Sequence, residues 1–65
     1  MKFGRIIHWD GIKGYGFVEP DDGEQDLFFL ADYLRYDTPA VGDRVSFEPR
    51  EGDRGPRARA VRLVG

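Results

Sequence analysis

A chain of 65 residues with net charge −2, no cysteine and one histidine admits a single domain and excludes both a disulfide framework and a centre built from several histidines. A chain this short buries only about 60% of the surface it exposes when unfolded, so the fold must rest on a small, well-packed core. No apolar run approaches the roughly 20 residues of a membrane span, and no signal-peptide segment follows Met1-Lys2-Phe3-Gly4-Arg5. One soluble, cytoplasmic domain over residues 1–65 is expected, in keeping with the absence of cysteine.

Residues 2–9 form the first predicted strand. Phe3, Ile6, Ile7 and Trp9 are strand formers, and the adjacent Ile6-Ile7 breaks the alternation, which implies a bulge or tight curvature. Asp10-Gly11 is a two-residue turn signal, and Ile12-Lys13-Gly14 leads into a second strand, Tyr15–Glu19, closed by Pro20. Asp21-Asp22-Gly23 turns the chain into a third strand, Gln25–Leu30. Ala31-Asp32-Tyr33-Leu34 suits one helical turn, and Thr38-Pro39 and Val41-Gly42 belong to a loop. Strand four, Asp43–Glu48, points Val45 and Phe47 one way and Arg44, Ser46 and Glu48 the other. Pro49 ends it or sits at an edge. Strand five, Arg57–Val64, follows a polar loop and offers Ala58 and Ala60 inward. Five short strands without a long helix must close on themselves or form two sheets, and closure also removes sticky edges. The expected fold is all-β, a small five-stranded antiparallel Greek-key barrel of the OB type.

The organising stretch is Lys13-Gly14-Tyr15-Gly16-Phe17-Val18. Tyr15 and Phe17 share a strand face, and the glycines need a reason: close approach of another backbone or of a ligand. In Leu27-Phe28-Phe29-Leu30 both faces are apolar, yet a small domain has one core, so one face is expected outside. An outer face carrying Tyr15, Phe17 and Phe28 with Lys13 at its border is a stacking platform for unpaired bases. Taken singly, each of these aromatics is better explained as core; taken together they are not, because strands two and three cannot both bury two faces. Charge is unevenly spread. Seven acids and one base lie between Glu19 and Asp37, and five arginines and two acids lie from Arg50 onward. The acids at Asp21, Asp22, Glu24 and Asp26 lack the spacing of a calcium loop. No nucleophile–base pair, metal cluster or phosphate loop is present, so neither an enzyme nor a cofactor is expected.

These motifs resemble the bacterial cold shock proteins. Lys13 to Val18 is similar to that family's first ribonucleoprotein motif, Lys-Gly-Phe-Gly-Phe-Ile. Asp26 to Leu30 stands where the second, Asp-Val-Phe-Val-His, is expected. Gly42 to Phe47 resembles the Gly-x-x-Val-x-Phe strand, and Arg54-Gly55-Pro56 followed by Ala58 and Ala60-Val61 resembles the last loop and strand. The resemblance implies a five-stranded OB barrel that binds single-stranded RNA and DNA with little sequence specificity and acts as an RNA chaperone. It also implies a binding set of Lys13, Tyr15, Phe17, Asp26, Phe28 and Arg54, with His8 as a substitute for an exposed tryptophan.

The departures lie at Ile7, where a base is lost, at Leu30 in place of histidine, and at Ala31 in place of an aromatic. Leu30 keeps apolar area on the face. At about 1–3 kcal/mol per stacked base, two weakened positions cost roughly 2–6 kcal/mol against a full platform. Arg57 and Arg59 are expected to restore part of this, because arginine both stacks on bases and forks onto phosphate. A solvated strand face explains the same arginines. Trp9 is expected half-buried rather than stacking on ligand. The expected partners are single-stranded RNA and DNA, with no membrane and no small-molecule substrate, and the barrel is expected to be a monomer. The alternative is a degenerate barrel that offers the same apolar patch to a protein.

Overall fold

The computed structural model describes residues 1–53 and 55–65. Among these, β1 spans Lys2–Asp10, β2 Tyr15–Pro20, β3 Leu27–Leu30, β4 Arg44–Gly52 and β5 Gly55–Leu63, with a 3-10 turn at Ala31–Tyr33 after β3. No helix is long and apolar enough to cross a membrane among the described residues. The strands close into a barrel in the order β1-β2-β3-β5-β4, with β4 returning to β1. The antiparallel expectation holds at four seams and fails at one. Strand direction cannot alternate around a ring of five, so one seam must be parallel. It falls between β3 and β5, at Phe28 and Arg57, and is continued by a parallel bridge between Leu34 and Val61.

Alternation decides what faces inward. Ile6, Val18, Leu27, Phe29, Val45, Phe47, Ala58 and Val61 form the core, with Trp9, Tyr33, Leu34 and Tyr36 packed against it. As expected of β3, Leu27 and Phe29 are buried, while Phe28 and Leu30 lie on the outer side, half-buried.

The predicted bulge in β1 is present. Pairing with β2 passes from Ile6–Val18 to His8–Phe17, leaving Ile7 as an extra residue. Beyond it, His8 is exposed beside Phe17, and Trp9 stacks on the buried Phe29 at 5.8 Å with ring planes 2° apart.

Five sequence expectations are corrected. Asp10-Gly11 is not a two-residue turn, because Asp10 pairs with Tyr15 across a four-residue loop. Asp10 Oδ1 holds that loop by accepting from the Ile12 and Lys13 amides at 3.1 and 3.0 Å, and Gly14 takes φ 75° to rejoin the ladder. Strand three begins at Leu27, leaving Gln25 and Asp26 exposed before it. Strand four continues through Pro49 to Gly52. β1 pairs with β4 only up to Phe47, so Pro49 lies where that side of β4 is a free edge and its missing N–H costs no ladder bond. Ala60 does not point inward. It adopts φ 50° at a second bulge, where two residues of β5, Ala60 and Val61, stand opposite Phe47, and Val61 takes the buried place. Ser46, expected outward, is 6% exposed, between its ladder partners Phe3 and Arg62.

The acidic β2–β3 hairpin is tied down on one side of the barrel. Lys2 Nζ donates to Asp22 Oδ2 at 2.7 Å, and both guanidinium nitrogens of Arg44 donate to Asp21, Nη1 at 3.0 Å. These hydrogen bonds hold both carboxyls below the ordinary aspartate range.

Candidate nucleic-acid interface

On the outer surface, pairing registers place the candidate residues in rows. His8 pairs with Phe17, Phe17 with Phe28, Phe28 with Arg57, and Arg57 with Arg50. One row thus crosses β1, β2, β3, β5 and β4. The next row is Asp10, Tyr15 and Leu30. Directly paired residues share a face, and the rings confirm it. Tyr15 stacks on Phe28 at 5.8 Å, Phe17 meets Phe28 edge-on at 5.7 Å, and Tyr15 meets Phe17 edge-on at 6.2 Å. His8 closes the cluster at 5.4 Å from Tyr15 and 6.1 Å from Phe17. The geometry therefore brings together His8, Tyr15, Phe17, Phe28 and Leu30, and the three aromatics are half-buried rather than core.

Gly16 resolves the question its motif raises. A Cβ there would run into the His8 carbonyl oxygen and would lie 2.7 Å from Phe29 Cζ. The glycine makes room for the neighbouring strand and the core ring, so its reason is structural. Gly14 belongs to the loop rather than the strand, and its carbonyl accepts from the Ala31 amide at 2.9 Å. Ala31 consequently sits at the end of the β2–β3 ladder, where a larger side chain would lengthen the face. Lys13 is exposed just beyond Tyr15, next to the fully exposed Ile12.

The arginines flank the other side. Arg57 lies over the Phe28 ring at 5.6 Å, and Arg59 over the Tyr33 ring at 4.8 Å. Arg50 is oriented by Glu48 Oε1 at 3.0 Å and the Pro49 carbonyl at 2.9 Å. Arg54, expected in the binding set, falls outside the described residues. Asp26 is exposed ahead of β3 and is not joined to the ring cluster by any aromatic contact. Tyr33 and Arg50 were missed in the sequence. Arg50 was within reach of it, because a hairpin centred on Gly52–Gly55 counts back to an Arg50–Arg57 pair. Tyr33 carried no local signal, since its partner Arg59 is distant in the chain.

A closed OB-like barrel with an aromatic outer face is the architecture of the cold shock fold. The family model described as the 'Cold-shock' DNA-binding domain matches residues 3–64, and the chain belongs to that family. It is 39% identical over 64 residues to the cold shock-like protein CspD of Bacillus cereus, covering 94% of this chain and 96% of that one. It is 36% identical over 61 residues to the cold shock-like protein CspE of Escherichia coli K12, covering 89% and 88%. Among solved structures, drosophila Unr CSD456 superposes with a TM-score of 0.81 at 18% identity. That match covers 98% of this chain and 26% of the other, and the likeness is one of fold.

Proposed function

We propose that this protein binds single-stranded RNA and DNA with little sequence selectivity and acts as an RNA chaperone. The observation that carries the reading is the cluster of His8, Tyr15, Phe17 and Phe28 on adjacent strands outside a barrel whose core is already filled. Bases stack on such rings whatever their identity, because every base has a π-face. Lys13 and Arg57, at opposite borders, receive phosphates. Lys2 and Arg44 pair with Asp22 and Asp21 of the acidic hairpin, which offsets part of its negative charge.

Melting of RNA hairpins then follows from mass action. A protein at a hundred times its dissociation constant favours the open strand by about 2.7 kcal/mol per bound site, with no reaction step and no cofactor. Closure of the barrel leaves few free edges, which supports a monomer.

The test is a titration of labelled oligothymidine, read by anisotropy, with a duplex control at two salt concentrations. Trp9 fluorescence follows the protein side. Micromolar or tighter binding to the single strand is expected, weakening with salt at a slope of about 0.7 per phosphate contacted. Tyr15→Ala and Phe28→Ala are expected to remove most of it. Equal binding of duplex and single strand, or none at low salt, refutes the platform.

A further inference from the structure

Beyond the aromatic face, β5 carries a second arginine–ring pair. Arg57 and Arg59 alternate with the buried Ala58, so both side chains leave the outer surface. Two residues along a strand advance about 6–7 Å, the scale of one nucleotide in an extended single strand. Arg57 continues the face from Phe28, and Arg59 repeats the arrangement on Tyr33 at the closer distance of 4.8 Å. Tyr33 is packed against the core, so its ring is a fixed support. A guanidinium lying on a ring keeps its opposite face free. Arginine planes stack bases as rings do, and their edge donors fork onto phosphate.

Charge gives the path a direction. On one side of Arg59 the surface is lined by Arg35 and Arg50, with Glu48 as its acid. Glu48 is engaged by Arg50 at 3.0 Å. On the other side, toward the β4–β5 turn, Arg50 and Arg57 stand with two acids, Glu51 and Asp53. A phosphodiester leaving Arg57 meets the more positive surface on the side of Arg35, where one acid stands against the same number of arginines that face two acids toward the turn.

We infer that Arg59, supported on Tyr33, is an additional base-stacking position. It takes the nucleotide that runs off the aromatic face past Arg57, with Arg35 and Arg50 receiving its phosphate. The ligand is an unpaired oligonucleotide longer than the aromatic face alone accommodates. The inference rests on that face being the platform for the single strand.

The experiment measures affinity for oligothymidines of about four to ten nucleotides, within the footprint of one OB barrel, using the wild type, Arg59→Gln and Arg59→Lys. The shortest oligomer is expected to lose least in the two variants. The gain on lengthening is expected to fall by at least about five-fold in Arg59→Gln, with only part restored in Arg59→Lys, which keeps the charge without the plane. In the longest oligomer, an abasic site at one end is expected to weaken the wild type and leave Arg59→Gln unchanged. An Arg59→Gln protein whose affinity rises with length as the wild type's does overturns the inference, and so does an Arg59→Lys protein equal to the wild type. In both cases the platform itself still stands. A wild type that binds no oligomer of any length removes the platform and this position together.

Discussion

Gly16→Ala tests whether the glycine of the aromatic motif serves the fold. The added methyl would collide with the His8 carbonyl oxygen and lie 2.7 and 2.9 Å from Cζ and Cε1 of Phe29. Neither neighbour yields easily. His8 is fixed by pairing with Phe17, and Phe29 is fully buried and stacked on Trp9. Overpacking of this kind costs about 1–3 kcal/mol, and two rigid neighbours place the change at the upper end, about 3 kcal/mol. At about 4–8 °C per kcal/mol for a domain of this size, the melting midpoint is expected to fall by roughly 12–24 °C. Gly23→Ala is the control. Its φ is 78° with nothing within 4 Å, so it carries only the left-handed backbone penalty of about 1–2 kcal/mol. Thermal melts followed by circular dichroism compare the two. In the Gly16→Ala background, Phe29→Leu is expected to recover part of the loss by withdrawing the ring, a coupling that a double-mutant cycle measures. A Gly16→Ala protein no less stable than Gly23→Ala would refute the steric account and return the glycine to the ligand.

Trp9→Ala is expected to cost about 3 kcal/mol, as for other large core side chains, because the indole covers Phe29; an unchanged melt would place Trp9 outside the core. Leu30→His with Ala31→Phe extends the aromatic face at the end of the β2–β3 ladder and is expected to tighten oligothymidine binding about ten-fold or more. Unchanged or weaker binding in that double variant would show that the strand does not pass there. His8→Ala removes a ring of the cluster and is expected to weaken oligothymidine binding by about five-fold or more. Unchanged affinity in His8→Ala sinks the role of His8. Arg44 holds Asp21 below the ordinary aspartate range. The stability it contributes is therefore present above the unfolded carboxylate value near 4 and is lost as pH falls through the lowered folded value. Asp21→Asn is expected to melt below the wild type at neutral pH, with the gap closing in acid and in high salt; a gap independent of pH would rule out the ion pair.

Much of the barrel was legible because its signals are local. Alternation in Leu27-Phe28-Phe29-Leu30 announced two apolar faces, and the adjacent Ile6 and Ile7 announced the bulge. Alternation in the last strand misled, because Ala60 bends into a left-handed conformation that only its pairing with β4 requires. The loop after Asp10 was misread for a similar reason. Asp-Gly is a strong hairpin signal, but the Asp10 carboxylate caps a longer turn. For the site, the aromatic cluster followed from period two along single strands. The arginine–ring pairs depend on the parallel seam and on residues far apart in the chain, and no pattern within one strand encodes them.

The extra residue at Ile7 sets the phase of everything after it in β1. Counting by twos from Ile6 would send His8 inward and Trp9 out to solvent; the inserted beat reverses both, so an imidazole joins the ring cluster and an indole joins the core. The two side chains are thus apportioned by arithmetic rather than by polarity. Replacing Ile7 with another residue, or deleting it so that His8 follows Ile6 directly, leaves both side chains where they are, whereas drawing Ile7 back into the ladder at constant length would exchange their roles while altering neither residue. That information lies in the register of the pairing, which an alanine scan does not read.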